Sequence, residues 1–362
     1  MKLTNFINLW VSSLFLIVFL NGCDIQDATP DIPDDQFEPT GIEGAVINSF
    51  KADGDQLYAV TNNGVWVSDL TGDITEWNSL GLEGLNVVGL ANLSDGSFLA
   101  GVQRDNVQSE EPVLYRQEDD SFSEEWEPYD QNFGGSENYN YINRLEDHPD
   151  HPGQIYARGA YSLARSIDDG ESWQTIFGDW SSIGYLADLL EFDPGHSGRI
   201  WIGGESAAFQ PYLYFSDNEG ESWNGLGIDA SGDNAVYSMA FHPDDVNRIL
   251  VGLEGEIRSS DDLGETWTMS FENDLYHYIL AMSTPNNIPS ETVYASGSEY
   301  GAQGGNLFFL VTNDFGETWE KFSAEAELDE TSINDLYIHE AEGQTTIYLG
   351  TSLGVWSYRM SD

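Results

Sequence analysis

The stretch Ser260–Trp267 reads "SDDLGETW", and the chain repeats it as "SIDDGESW" over 166–173, "SDNEGESW" over 216–223 and "TNDFGETW" over 312–319. Every copy keeps Ser or Thr first, Asp or Asn third, Gly fifth, Glu sixth and Trp last. At average residue usage such an octet arises by chance roughly once in 10⁶ positions. A catalytic centre is built once, so four copies spaced 44 to 52 residues apart point to architecture.

The chemistry of the octet supports that reading. The side-chain oxygens of Asp168, Asn218, Asp262 and Asp314 can accept hydrogen bonds from nearby backbone N–H groups and close a turn begun by Ser166, Ser216, Ser260 or Thr312. Gly170, Gly220, Gly264 and Gly316 can take the positive φ such a turn needs. Trp173, Trp223, Trp267 and Trp319 then start a strand. Each ring can bury ~150–250 Å², worth roughly 4–6 kcal/mol at ~25 cal/mol per Å². The octet is a folding device.

Upstream of each octet the hydrophobic period is two. "IYARGAYSLARSID" and "ILVGLEGEIRSSD" each hold two short β-rich runs around a turn, and an earlier run ends in a turn such as "LEDHPDHPG", "EFDPGHSG" or "AFHPDDVN". Three strands therefore precede the octet and one follows. Trp77 and Trp126 occupy the same place in units whose turns have lost the pattern, and a last unit ends in "TSLGVWSY", echoing "TNNGVWVS" at 61–68. That last unit stops after its third strand. "QFEPTG" at 36–41 resembles "EWEPYD" at 125–130, so an N-terminal strand is expected to supply the missing one and leave no open edge. The expectation is an all-β fold over 36–362: a single seven-bladed β-propeller of four-stranded antiparallel blades.

These octets resemble the Asp-box, or BNR repeat, of sialidases, sortilin-type receptors, endo-xyloglucanases and photosystem II assembly factors. The resemblance implies a turn between the third and fourth strands of a propeller blade. It leaves function open, because the box specifies fold.

A ligand is expected at the face opposite the octets, where loops between second and third strands and between units surround the channel mouth. Inner-strand candidates there are Tyr139, Tyr141 and Arg144, Trp180 and Tyr185, and Tyr276, His277 and Tyr278; loop candidates are Arg104 and Tyr300. Flat rings with neighbouring amides and carboxylates suit a glycan or a protein partner, against the plainer reading that they pack between blades. His148, His196, His242 and His339 fall on the octet face and are expected to be structural.

Catalysis is disfavoured. Sialidases hold substrate with three arginines, the first in an aromatic-Arg-Ile-Pro motif, which is absent among the nine arginines here. The box-bearing xyloglucanases carry a catalytic Asp in a Tyr-Ala-Arg-x-Asp stretch, whereas "YARGAYSLAR" from Tyr156 runs from Arg158 straight into Gly159. A glycosidase needs two carboxyls flanking one bond, and among 63 acids some such pair is inevitable. The expected role is a non-catalytic binding or assembly scaffold. The alternative is a glycoside hydrolase or polysaccharide lyase at the channel mouth, for which His277, Tyr276 and Arg144 are the nearest lyase set.

The 362 residues hold 12 Lys+Arg against 63 Asp+Glu, a formal charge of −51. That repels nucleic acid and anionic lipid surfaces. Such acidity resembles secreted proteins of salt-adapted bacteria, since in molar salt the Debye length falls to about 3 Å; surface calcium is the rival explanation, and no other cofactor is implied. Lys2, the apolar run Phe6–Phe19 and Leu20-Asn21-Gly22-Cys23 resemble a bacterial lipoprotein signal, so 1–22 would be removed and Cys23, the single cysteine, lipidated. Residues 23–35, acidic and Pro-containing, read as a tether. The lipid would be the only link to the membrane of the cell envelope, on the periplasmic or surface side, and the propeller is expected to be monomeric.

Overall fold

The computed structural model describes residues 37–71, 74, 76–105, 111–117, 123–129, 133, 141–179, 189–206, 208–230, 234–272, 277–285, 291–299, 307–323, 328, 331–341 and 343–359, with residues 277, 278, 280, 299, 322 and 323 described by backbone only. The expected lipoprotein signal, Cys23 and the expected tether lie outside the described residues.

The regular elements of the described chain are all strands. After β1 (Glu38–Gly41) come β2 (Ile47–Asp53), β3 (Gln56–Thr61), β4 (Gly64–Asp69) and β5 (Asn78–Ser79), paired in that order. Next are β6 (Val87–Asn92), β7 (Phe98–Val102), β8 (Leu114–Gln117) and β9 (Trp126–Tyr129), then β10 (Arg144–Asp147), β11 (Ile155–Gly159), β12 (Ser162–Ser166) and β13 (Gln174–Gly178). Two further antiparallel sheets are β14 (Leu189–Phe192), β15 (Ile200–Glu205), β16 (Pro211–Ser216), β17 (Asn224–Leu226) and β18 (Ser238–Phe241), β19 (Ile249–Gly252), β20 (Glu256–Ser260), β21 (Thr268–Glu272). Another is β22 (His277–Ser283), β23 (Val293–Glu299), β24 (Phe308–Thr312) and β25 (Glu320–Ser323). β26 (Ile333–Ala341), β27 (Gln344–Thr351) and β28 (Gly354–Arg359) end the chain, and β1 pairs with β28 through Glu38↔Ser357 and Pro39↔Trp356.

The expected seven separate blades are not what forms. Five sheets are four-stranded blades, while β6–β9 and β10–β13 are fused into one eight-stranded sheet. The fusion is a parallel bridge between two inner strands, Leu145↔Gly89. A Cβ on Gly89 would lie 2.3 Å from the Leu145 carbonyl oxygen, so only glycine lets the two backbones come close enough to bridge. Counting tryptophan-ended units reports their length but not whether neighbours merge.

The first strand of each antiparallel run faces the centre. β2 lies against β6 and β26, β22 against β18 and β26, and β14 against β18, so the sheets follow one another around a ring in a β-propeller arrangement. The apolar cores lie between sheets. Leu190 and Ile200 of one sheet pack with Tyr156 and Leu163 of the preceding one, with Trp223 at the margin; Trp201 and Leu213 pack with Ile249 and Val251, with Trp267 at the margin. The octet tryptophans are thus only partly buried, and each realises part of the area a fully enclosed ring would bury.

All four octets share one hydrogen-bond pattern. The Ser260 hydroxyl accepts from Gly264 N–H at 2.8 Å and donates to Asp262 Oδ1 at 2.8 Å, and that oxygen accepts from Thr266 N–H at 2.8 Å. Ser166, Ser216 and Thr312 accept from Gly170, Gly220 and Gly316 in the same way. The residue before each glycine is left-handed: Asp169 (φ 57°), Glu219 (54°), Leu263 (57°) and Phe315 (50°). Its N–H latches the octet to the first turn of its own sheet, as Asp169 to Gly153 O at 3.0 Å and Phe315 to Glu291 O at 2.9 Å. Its side chain reaches the preceding run of strands: Asp169 accepts from Ser94 N–H at 2.8 Å, Glu219 from Arg165 at 3.1 Å, and Phe315 sits beneath Arg248, 5.4 Å from ring centroid to guanidinium carbon. The octets therefore close hairpins and clamp neighbouring strands together.

Candidate functional site

The inner strands β2, β6, β10 and β26 enclose a cavity of about 500 Å³. Along a strand alternate residues face the same side, and the cavity side of these strands mixes polar groups with apolar ones. Asn48 donates to Val87 O at 2.6 Å and to Asn86 Oδ1 at 2.8 Å; Asn86 donates to Gln103, and Gln103 to the Tyr141 hydroxyl at 2.9 Å. Asn334 donates to Ile47 O at 2.8 Å. These amides stitch adjacent inner strands while lining the space. Phe50, Val88 and Leu90 give it an apolar wall.

The charged groups form two sets. Lys51 pairs with Asp147, which also accepts from Asn92 N–H at 3.0 Å. Arg144 donates through Nε to Glu146, and its Nη2 stands 3.9 Å from Glu191 Oε1, so β10 and β14 meet here. Asp335 on β26 accepts N–H bonds from Phe50 (2.6 Å) and Leu336 (2.8 Å). Burial, reinforced by Glu146 and Asp335, pushes Glu191 up to about 8 against the pull of Arg144. Burial likewise raises Asp335 to about 6, although the two N–H bonds and Arg144 oppose it. Burial works against the Arg144 cation, but Glu146 and Glu191 outweigh it and raise its pKa. The Arg144, Glu146 and Glu191 side chains remain 30–35% exposed, so water in the channel reaches this cluster and moderates these shifts.

Of the sequence candidates, Tyr141 and Arg144 line this cavity together. Arg104 does not join them. It donates to Pro112 O (3.0 and 2.6 Å) and the Tyr115 hydroxyl (2.9 Å), bracing the connection from β7 to β8. His277 and Tyr278 begin β22, with their side chains undescribed; Tyr139, Trp180, Tyr185, Tyr276 and Tyr300 lie outside the described residues. His148 and His242 use Nδ1 to accept backbone N–H groups from Asp150 and from Asp244 and Asp245, which makes them turn caps. Arg158 of "YARGAYSLAR" is buried, donating to Leu189 O, Gly203 O and the Tyr212 hydroxyl of the next sheet.

Sequence reasoning missed Asn48, Asn86, Gln103, Glu191, Asn334 and Asp335. The signal was present: "VINSF" at 46–50 and "SINDL" at 332–336 each put an Asn and a second polar residue between apolar neighbours. Among the described residues, no group of three or more His, Cys, Asp or Glu is placed to hold a metal ion. The arrangement can bind, order water and exchange protons at Glu191 and Asp335.

No family model matches the chain. It is 26% identical over 186 residues to photosystem II assembly lipoprotein Ycf48 of Prochlorococcus marinus (strain MIT 9312), spanning 50% of this chain and 49% of that protein. The chain thus spans about half the length of the curated relative it matches. The structure of YCF48 bound to a D1 peptide superposes with a TM-score of 0.63 at 17% identity, covering 92% of this chain and 99% of that one. This chain is a β-propeller. The GH74 xyloglucanase of Xanthomonas campestris shares the fold with a TM-score of 0.63 at 16% identity, over 89% of this chain and 53% of its own.

Proposed function

We propose that this propeller is a non-catalytic assembly scaffold of the cell envelope, which holds a segment of a protein partner at the mouth of the central cavity. The carrying observation is the likeness over 92% of the chain to a propeller solved with a peptide bound. The sequence similarity to an assembly lipoprotein supports the same reading. The octets belong to the Asp-box class on this proposal, residues 1–22 are a lipoprotein signal, and Cys23 carries the lipid ahead of a tether over 23–35 and a monomeric propeller over 36–362. The described candidate ligand contacts are Tyr141 and Arg144; Tyr139, Trp180, Tyr185, Tyr276, His277, Tyr278 and Tyr300 stay proposed contacts from the sequence, whereas Arg104 braces its own connection.

Affinity purification from detergent-solubilised envelopes tests this. The full chain is expected to retain a stoichiometric protein partner, and a Tyr141→Ala, Asn48→Ala double variant with unchanged melting is expected to lose it. Cys23→Ser is expected to move the protein to the soluble fraction. Equal recovery with the double variant, or no partner at all, would remove the scaffold reading.

The second reading is a carbohydrate-active enzyme, favoured by the xyloglucanase likeness and by a carboxyl held near pKa 8 next to the cavity. Release of reducing ends from polysaccharide, abolished by Glu191→Gln, would establish it.

A further inference from the structure

We infer that an arc of asparagines around the channel binds the main chain of an extended partner segment, through its peptide N–H and C=O groups and with little regard to its side chains; this rests on the scaffold reading above. At the head of four inner strands an apolar residue is followed by asparagine: Ile47-Asn48, Leu85-Asn86, Ile142-Asn143 and Ile333-Asn334. All four asparagines line the cavity. Two of them sit on β-bulges. Ile47 pairs with Thr61 and Ser49 with Val60, so Asn48 drops out of the pairing of β2 with β3. Ile333 pairs with Thr351 and Asp335 with Gly350, and Asn334 drops out in the same way. A bulge gives up pairing to re-aim a side chain, and here it does so twice at the same step of the repeat.

The carboxamides are oriented by carbonyls that can only accept. Asn48 donates both its N–H groups, to Val87 O at 2.6 Å and to Asn86 Oδ1 at 2.8 Å, and its own Oδ1 accepts nothing among the described residues. With Asn86 Oδ1 taken, Asn86 gives one N–H to Gln103 and retains one; Gln103 gives one to the Tyr141 hydroxyl and retains one. Asn334 gives one N–H to Ile47 O and retains the other beside its Oδ1. The wall therefore offers acceptors at Asn48 and Asn334 and donors at Asn86, Gln103 and Asn334. An extended chain presents the complementary set, one N–H and one C=O per residue, and main-chain hydrogen bonds are what hold such segments where side chains are not read. The charged groups of the lining are already engaged: Asp147 with Lys51, Glu146 with Arg144, and Asp335 with two backbone N–H groups. The cavity thus suits an uncharged, hydrogen-bonding ligand, although the chain carries a charge of −51.

Ligand-observed NMR titrations of the full chain test this with acetyl-Gly-Ser-Gly-Ser-Gly-Ser-amide and a counterpart whose glycines are N-methylated, which keeps every carbonyl and removes those N–H groups. The plain peptide is expected to bind about ten-fold more tightly, the worth of one or two net hydrogen bonds. Acetyl-Ala-Gln-Ala-Gln-Ala-Gln-amide is expected to match it. Asn86→Ala and Asn334→Ala, with melting unchanged, are each expected to lose about five-fold. Asn247→Ala, in an exposed turn of the octet face, is expected to change nothing. Equal binding of the plain and N-methylated peptides, equal effects of Asn86→Ala and Asn247→Ala, or no binding at millimolar peptide would each overturn the assignment. Binding of cellotetraose in place of the peptides, lost in Asn86→Ala, would overturn it in favour of a glycan. The peptide pair needs no variant, so a misfolded mutant leaves the test intact. Failure here with a partner still retained from envelopes would sink the asparagine arc and leave the scaffold reading standing.

Discussion

Asp262 in an octet turn and Glu191 beside the channel carry the same functional group in opposite settings. Asp262 accepts from the Thr266 side chain and N–H and from Ser260, and these bonds hold its carboxyl below the ordinary aspartate range. Glu191 has Arg144 at a distance and two other acids for company, and it is pushed up to about 8. An acid whose oxygens are filled by its own hairpin has finished its work when the chain folds. Glu191, beside a polar cavity and about a third exposed, is left to solvent and to Arg144 at a distance. The octet carboxylates are thus settled by folding, and this one is not.

The harshest way to break the contrast is Gly264→Val. Its φ of +86° is foreign to a β-branched residue, and a Cβ there would lie 2.6 Å from Leu226 and 2.9 Å from Trp267. Denaturant unfolding should show a loss of roughly 3 kcal/mol or more. Ser260→Ala is gentler. It removes the buried hydroxyl that accepts from Gly264 N–H, and should cost about 1–2 kcal/mol in the same measurement.

Glu191→Gln should act with the opposite sign, and with the smallest effect. A carboxyl whose folded pKa stands above its unfolded value binds more protons in the native state, so wild-type stability falls as pH rises from about 4.5 to about 8. The amide removes that penalty. Melting scans should therefore show the variant rising above wild type at pH 8 and matching it near pH 5, while its neighbours Arg144, Glu146 and Asp335 keep their places. A variant that melts lower at pH 8 would mean that the Arg144 contact outweighs desolvation.

The octets were readable because Ser, Asp, Gly and Trp each perform a local task that demands their chemistry. The strand order within each unit followed from hydrophobic period for the same reason. Fusion of two units was not readable, since it depends on Gly89 meeting Leu145 56 positions later. The clamping residues were hidden for another reason: Asp169, Glu219, Leu263 and Phe315 share a backbone conformation and a neighbour but not a side-chain type. The channel was half legible. Tyr141 and Arg144 stood out as residues, whereas the inner-strand amides look like ordinary strand interruptions until the ring brings them together.

The pairing of β1 with β28 sets an order on biosynthesis. Glu38 must wait for Ser357, 319 positions later, before its backbone has a mate. Until then β1 is an unpaired strand, the kind of edge through which nascent chains stick to one another. A polypeptide this strongly anionic keeps its copies apart during that interval, so its acidity serves the unfinished molecule as well as the finished one.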